Sequence, residues 1–338
     1  MSDDRDQLMR DLADSLDDTS EAPETAPLPS LDLGPGVYPD VSIEAYISDP
    51  CAEASLRSSD LRMLLRMAPA HFRAHHPRLS EKPAWAMKKA TRQMNAGTIV
   101  HAIVLGKGAA FTTIDPTAYT TQTGEQAKGE TKAYRADVAA AQARGLIVLK
   151  PKVSDAVERT ANALREHLTA ALGRAIEDHA VEQTLIWEEK TAYGPVLCRT
   201  RPDLIGFQQR AAKCVEIKTT GLELDNDGVE RILSANDGGY LMQAAWQLRG
   251  IAANFPRAAS DIEHSFLFGE MSYPNLVAPI TTSKLALEQA GRRCQRAVEK
   301  YAELRESGEF ASWQPRIGSL SAWLEKAWME EEGDIETS

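Results

Sequence analysis

The sequence lacks the features of a membrane protein and of a chain held together by disulfides or a structural metal. No uninterrupted apolar run among its 338 residues approaches the roughly 20 that a membrane-spanning helix needs. The opening residues, Met1-Ser2-Asp3-Asp4-Arg5-Asp6, are acidic and have no apolar core. They are not expected to act as a secretory signal, and a cytoplasmic location (bacterial or phage-encoded) is expected. Cysteine is scarce: Cys51, Cys198, Cys214 and Cys294 lie far apart, with no Cys-x-x-Cys pair. That spacing argues against a zinc or iron–sulfur centre, and without secretion the four are expected to be free thiols. No internal repeat is visible.

Positive charge is also in short supply, with 38 Lys and Arg against 49 Asp and Glu, a net of -11. Bulk acidity speaks against a nucleic-acid partner, but its distribution does not. Residues 1–40 carry a net of -9 and residues 330–338 a net of -5, which leaves +3 for residues 41–329. Within that span, residues 57–92 hold nine Lys and Arg against Asp60 and Glu81, a net of +7. Such a patch is the footprint of a phosphate binder, or else a solvated helix face.

Residues 1–40 combine acidity, five prolines and few large apolar groups, so they are expected to form a disordered tail with at most a short helix near Gln7–Leu16. A main domain over 41–328 and an acidic tail over 329–338 follow. Ser58 or Ser59 can cap a helix running through Leu61, Leu64 and Leu65 toward Met67, and Pro69 interrupts it. Further helices are predicted over Gln93–Leu105, Lys132–Arg144 and Ser154–Ala171, with a loop near 115–131. Gln183–Glu189, Val196–Phe207 and Lys213–Thr219 read as strands, a helix covers about Gly239–Ala252, and His264–Met271 and Asn275–Thr281 read as two more strands. An amphipathic helix spans Ser283–Arg305. This order points to one α/β domain whose sheet is flanked by helices.

The chemistry-bearing segment is Arg201-Pro202-Asp203 followed by Val215-Glu216-Ile217-Lys218. Side chains two apart on a strand share a face, so Glu216 and Lys218 point one way and Val215 and Ile217 into the core. Antiparallel pairing with the preceding strand brings Asp203 beside Glu216, and Pro202 marks an edge or bulge. Two carboxylates and an ammonium form a hydrolytic site for Mg²⁺, with Lys218 placed to orient water or offset developing negative charge. An isolated Glu-x-Lys is also a common surface ion pair. On the predicted helix, Gly97 and His101 share a face; the glycine permits close approach to a sheet and His101 can reach the metal, although a histidine on an apolar helix is often a core residue. Gln243 and Tyr240 follow on the next helix, within reach of phosphate or bound water, with core packing the default for Tyr240 and Trp246. Arg57, Arg62, Arg66, Arg199 and Arg201 are candidates to line a DNA path. Trp85, among Lys82, Lys88 and Lys89, can stack on a base or be buried.

These residues resemble the RecB-like branch of the PD-(D/E)XK nucleases. The exonuclease VIII (RecE) group is the closest match, and the lambda exonuclease group is more distant. Five patterns stand in the family's order: Leu56-Arg57-Ser58-Ser59-Asp60 with Leu64-Leu65 and Pro69-Ala70-His71-Phe72; Gly97 to His101; Cys198 to Asp203; Val215 to Thr220; and Gly239-Tyr240 with Gln243-Ala244-Ala245. They span about two-thirds of the chain. The resemblance implies a restriction-endonuclease-like core, a central mixed β-sheet flanked by helices. It implies that Asp203, Glu216 and the backbone carbonyl of Ile217 bind Mg²⁺, with His101 an added ligand or orienting group that also makes Mn²⁺ acceptable. Lys218 is then the catalytic lysine, and Gln243, Tyr240, Arg199, Arg201, Ser59 and Arg66 its supporting or DNA-binding residues. Similar proteins degrade linear duplex DNA from its ends, 5′ to 3′, for an annealing protein, and some form homo-oligomeric rings. One departure stands out: Gln247 occupies the place where this branch often carries tyrosine.

Three other readings differ in their requirements. A site-specific endonuclease needs a base-reading element, which is not evident. A silent DNA-binding or inhibitory protein is expected to have lost an acid or the lysine. An iron–sulfur exonuclease associated with CRISPR systems needs clustered cysteines.

Overall fold

The computed structural model describes residues 31–80, 92–120, 124–126, 130–172, 179–208, 211–259, 261–312, 324–326 and 328–329. The readings placed on Gln7–Leu16, on Lys82, Trp85, Lys88 and Lys89, and on residues 330–338 lie outside them.

The described residues form the α-helices α1 (Ile43–Ile47), α2 (Ser58–Arg66), α3 (Pro69–His75), α4 (Arg92–Leu105), α5 (Lys132–Ala143), α6 (Pro151–Leu172), α7 (Asn226–Asn254) and α8 (Lys284–Ser307). The strands are β1 (Gly36–Tyr38), β2 (Phe111–Thr113), β3 (Ile147–Leu149), β4 (Ala180–Val181), β5 (Thr184–Glu189), β6 (Val196–Thr200), β7 (Leu204–Gln208), β8 (Ala211–Thr220), β9 (Ile262–Glu270) and β10 (Val277–Thr281). No helix among the described residues is long and apolar enough to cross a membrane.

The chain is a mixed α/β protein, and the expectation of a single sheet needs correction. A five-stranded sheet runs β10-β9-β8-β7-β4, a three-stranded one β1-β5-β6, and a small parallel pair joins β2 to β3. In the large sheet β8 and β9 are parallel and the other pairs antiparallel. The predicted strand Val196–Phe207 is two strands in two sheets. It breaks at Arg201-Pro202-Asp203, where Pro202 has no N–H to continue a ladder. The tail reading does not hold for residues 36–38, because β1 pairs antiparallel with β5.

Alternation along β8 sorts its two faces. Val215 and Ile217 join Leu204 and Leu267 in an apolar layer against Ile99, Val100 and Val104 of α4 and Val157 and Leu164 of α6. A second core packs α2, α3, α7 and α8 around Trp187, Val196 and Cys198. Burying a large apolar side chain contributes about 1.5–3 kcal/mol, so these two layers fix where the strand ends lie. The four cysteines are free and buried.

Helix ends follow local chemistry. Neither Ser58 nor Ser59 is the cap of α2: the cap is Arg57, whose backbone N–H donates to Asp60 Oδ2 at 3.0 Å. Pro69 sits at the first turn of α3, where a missing N–H costs nothing. Helix α7 begins earlier than the predicted Gly239. Asp237 and Gly238 have φ of 60° and 69°, a left-handed step that divides the element just before the predicted start. Ser283 caps α8 through Ala286 N, and Gly308, at φ 70°, ends it.

Candidate active site

The β7–β8 register pairs Leu204 with Val215, which sets Asp203, just before β7, next to Glu216 in the middle of β8. Asp203 Oδ2 accepts the Ile217 N–H at 2.7 Å, tying the loop after Pro202 to β8. Glu216 is buried and gathers three donors. Lys218 Nζ and Gln243 Nε2 each donate to Oε1 at 2.5 Å, and Gln247 Nε2 donates to Oε2 at 2.6 Å. The Lys218 ammonium also lies 5.7 Å from the Tyr240 ring centroid, and Tyr240 packs edge-on against Phe268. The Lys218 side chain is 21% exposed against 4% for Glu216, so the ammonium is the part of the pair open to a substrate.

Helix α4 delivers His101 from the opposite layer. Its Nε2 lies 2.9 Å from the Ile217 carbonyl oxygen and its Nδ1 3.6 Å from Asp203 Oδ1. Close approach is possible because residue 97 is glycine: a Cβ there would stand 3.2 Å from Thr219 Oγ1. Helix α7 is seated in the same way at Gly250, where a Cβ would meet Thr200 Cγ2 at 2.7 Å and Trp187 Cζ3 at 2.9 Å. One and two turns earlier on that face stand Gln247 and Gln243.

Burial and the Glu216 charge push the Asp203 carboxyl from 3.8 up to about 6, against the pull of His101 and Lys218. Burial acts the same way on Glu216, but Lys218 and the Gln247 hydrogen bond outweigh it and hold that carboxyl below its ordinary range. Burial works against the Lys218 charge, yet the two carboxylates override it and raise the pKa. One ammonium thus faces two buried carboxylates, and the pocket keeps an excess of negative charge.

That excess, together with a backbone carbonyl at the same spot, fits a hard divalent cation. Among the described residues, no group of three or more His, Cys, Asp and Glu side chains is arranged to hold a metal. The set here is two carboxylates, the Ile217 carbonyl, and an imidazole turned toward that carbonyl.

Two arginines proposed for a DNA path are placed elsewhere. Arg199 is fully buried. It pairs with Asp49 at 3.2 Å and donates to Ser55 O at 2.5 Å and Tyr46 O at 3.2 Å. Arg201 is spent on the Val41 carbonyl at 2.5 Å and on Glu182 at 3.2 Å, with 11% of its side chain exposed. Arg57 pairs with Asp60, and Ser59 Oγ lies 3.5 Å from the same carboxylate. Arg66 is exposed, and Arg62 lies against Gly239, at the point where the second half of α7 starts. Trp246 is core, donating its indole N–H to Arg199 O at 3.0 Å.

Sequence reasoning missed Gln247 as a carboxylate partner and His264 behind it. The signal for Gln247 was its i,i+4 spacing from Gln243, which puts both amides on one helix face.

No family model matches the chain, and no curated protein matches it. Among solved structures it is similar to a "putative exonuclease" from Eubacterium rectale, at 11% identity and a TM-score of 0.37 over 78% of this chain and 88% of that one. It is also similar to the structure of SSO0001, at 14% identity and a TM-score of 0.27 over 59% and 84% of the two chains. Likenesses this distant carry no argument about activity, which has to come from the site itself.

Proposed function

We propose that this chain is a divalent-cation-dependent deoxyribonuclease of the PD-(D/E)XK kind, hydrolysing phosphodiester bonds from the ends of linear duplex DNA. The observation that supports the reading is the meeting of Asp203, Glu216 and Lys218 on adjacent antiparallel strands, with His101 and Gln243 closing the pocket from two helices. The exonuclease preference, 5′ to 3′ polarity, ring assembly and a place beside an annealing protein in phage-type recombination rest on the motif resemblance alone.

Asp203, Glu216 and the Ile217 carbonyl are the groups that would hold Mg²⁺ or Mn²⁺, with His101 as an added ligand. When bound, the cation supplies charge neutralisation at the phosphate and acidifies a water. Lys218 orients that water and offsets the charge that develops on the phosphate. Gln243 and Gln247 hold Glu216 in one rotamer. His101 ties α4 to β8. Arg62 and Arg66 on α2 contact phosphates along the duplex, a role that makes binding fall with salt.

The test compares a linear duplex carrying a 5′-phosphate with a closed circle of the same DNA, each with Mg²⁺ and with chelator. Loss of the linear form alone, and only with Mg²⁺, is the expected result. Cutting of the circle would turn the reading to an endonuclease, and no cleavage under varied metals would turn it to a binding role.

A further inference from the structure

Behind the carboxylates a sealed row of polar groups starts at Gln247 and runs on to His264 and Thr282, two residues that the reaction above does not use. Gln247 and His264 are buried, at 1% and 0% exposure, and Thr282 closes the row at 8%. His264 stands on β9 opposite Cys214 of β8, with its ring against Phe266 at 4.6 Å between centroids. Gln247 Oε1 lies 3.0 Å from His264 Nε2, and His264 Nδ1 lies 3.2 Å from Thr282 Oγ1.

The direction of every hydrogen bond in this row follows from its first member. An ionised carboxylate only accepts, so Gln247 turns its NH₂ toward Glu216 and its oxygen toward His264. His264 must then carry its proton on Nε2, which leaves Nδ1 to accept the Thr282 hydroxyl proton. Burial lowers the His264 pKa to about 4, which keeps the ring neutral and compatible with this single tautomer. With the Nε2–H removed, the Gln247 oxygen keeps the Cys214 thiol, a weak donor 3.6 Å away. The amide is then held less firmly, and a half-turn of it would set its oxygen against Glu216, acceptor against acceptor.

We infer that His264 is a positioning residue for Glu216: acting through Gln247, it fixes the orientation of the carboxylate that would bind the cation. The inference rests on the nuclease reading. Groups behind metal ligands typically change cation affinity by about 10–100-fold when removed, so the effect is measurable.

The experiment is calorimetric titration of Mn²⁺ alone into the full chain. His264→Phe keeps the ring packing and removes the donor, and it is expected to weaken binding about ten-fold or more. Gln247→Leu is expected to weaken it similarly, and the double variant to be no weaker than Gln247→Leu alone, because one route carries both effects. His264→Gln, whose amide nitrogen can stand near the place of Nε2, is expected to restore binding. Undiminished affinity in His264→Phe, or losses that multiply in the double variant, would overturn the role of His264. A wild-type protein that binds no Mn²⁺ would instead overturn the nuclease reading itself. Should His264→Phe not fold, ¹⁵N NMR of the metal-free wild type decides: the Nε2–H tautomer supports the inference and the Nδ1–H tautomer overturns it.

Discussion

Two buried charge clusters, one around Asp49 and Arg199 and one around Asp203 and Glu216, treat a carboxylate in opposite ways. At the first, Asp49 and Arg199 are sealed, each side chain at 0% exposure, with Ser55 donating to both Asp49 oxygens and His76 lying 3.6 Å away. Burial alone would raise the Asp49 pKa, but Arg199, His76 and Ser55 more than offset it and the pKa is lowered. At the second, Asp203 is also buried but has a second carboxylate for a neighbour, and its pKa rises to about 6. Burial of charge is common to both. What separates them is compensation: in the first cluster Arg199 balances the Asp49 charge and anchors the N-terminal segment on β6, while the second is short of positive charge and has an ammonium at its mouth. Uncompensated charge is the better mark of a working site.

The largest effect expected from this contrast is on activity. Lys218→Ala should reduce the Mg²⁺-dependent cleavage rate by about 10²–10³-fold or more, with thermal unfolding preserved. A wild-type rate would remove Lys218 from the chemistry.

The next prediction applies one chemical change to both clusters and expects opposite signs. Asp49→Asn keeps the shape, and asparagine tolerates the local φ of 66°. It strands the Arg199 guanidinium and should destabilise the fold by about 3–5 kcal/mol in urea unfolding. Asp203→Asn should stabilise the metal-free protein at neutral pH. The folded-state pKa of about 6 lies above the ordinary 3.8, so the folded protein holds a proton that the unfolded chain releases. That contribution is full below about pH 4 and is lost as pH rises through about 6. Above that range the variant should gain on the order of 2 kcal/mol over wild type, and below it the two should converge. Destabilisation by both substitutions would erase the distinction between the clusters.

The smallest effect belongs to the surface. Arg66→Ala should leave stability unchanged and lower the slope of log affinity for duplex DNA against log salt by about one. An unchanged slope would take Arg66 off the DNA path.

The Asp203–Glu216–Lys218 grouping was legible in the sequence because strand alternation and a hairpin-length separation leave few other arrangements. The split of Val196–Phe207 between two sheets was not, because an apolar run reads the same whether it bends or breaks, and only Pro202 marks the place. Strands β2, β3 and β4, of two or three residues, are too short to show a period. Arg199 was misplaced for a different reason. β6 is buried on both faces, so alternation there does not separate inside from outside. The early part of α7 was hidden by Asp237-Gly238, whose left-handed backbone looks like a helix start one residue later. His264 could not be found at all from sequence, since its partner Gln247 comes from another element and only the parallel β8–β9 pairing brings it near.

The most direct test of the central claim is Mg²⁺-dependent degradation of a linear duplex by wild type and Asp203→Asn, side by side. The account predicts that the variant, folded and more heat-resistant without metal than wild type, leaves the duplex intact. Degradation by Asp203→Asn at the wild-type rate would contradict the assignment of this pocket as the nuclease site.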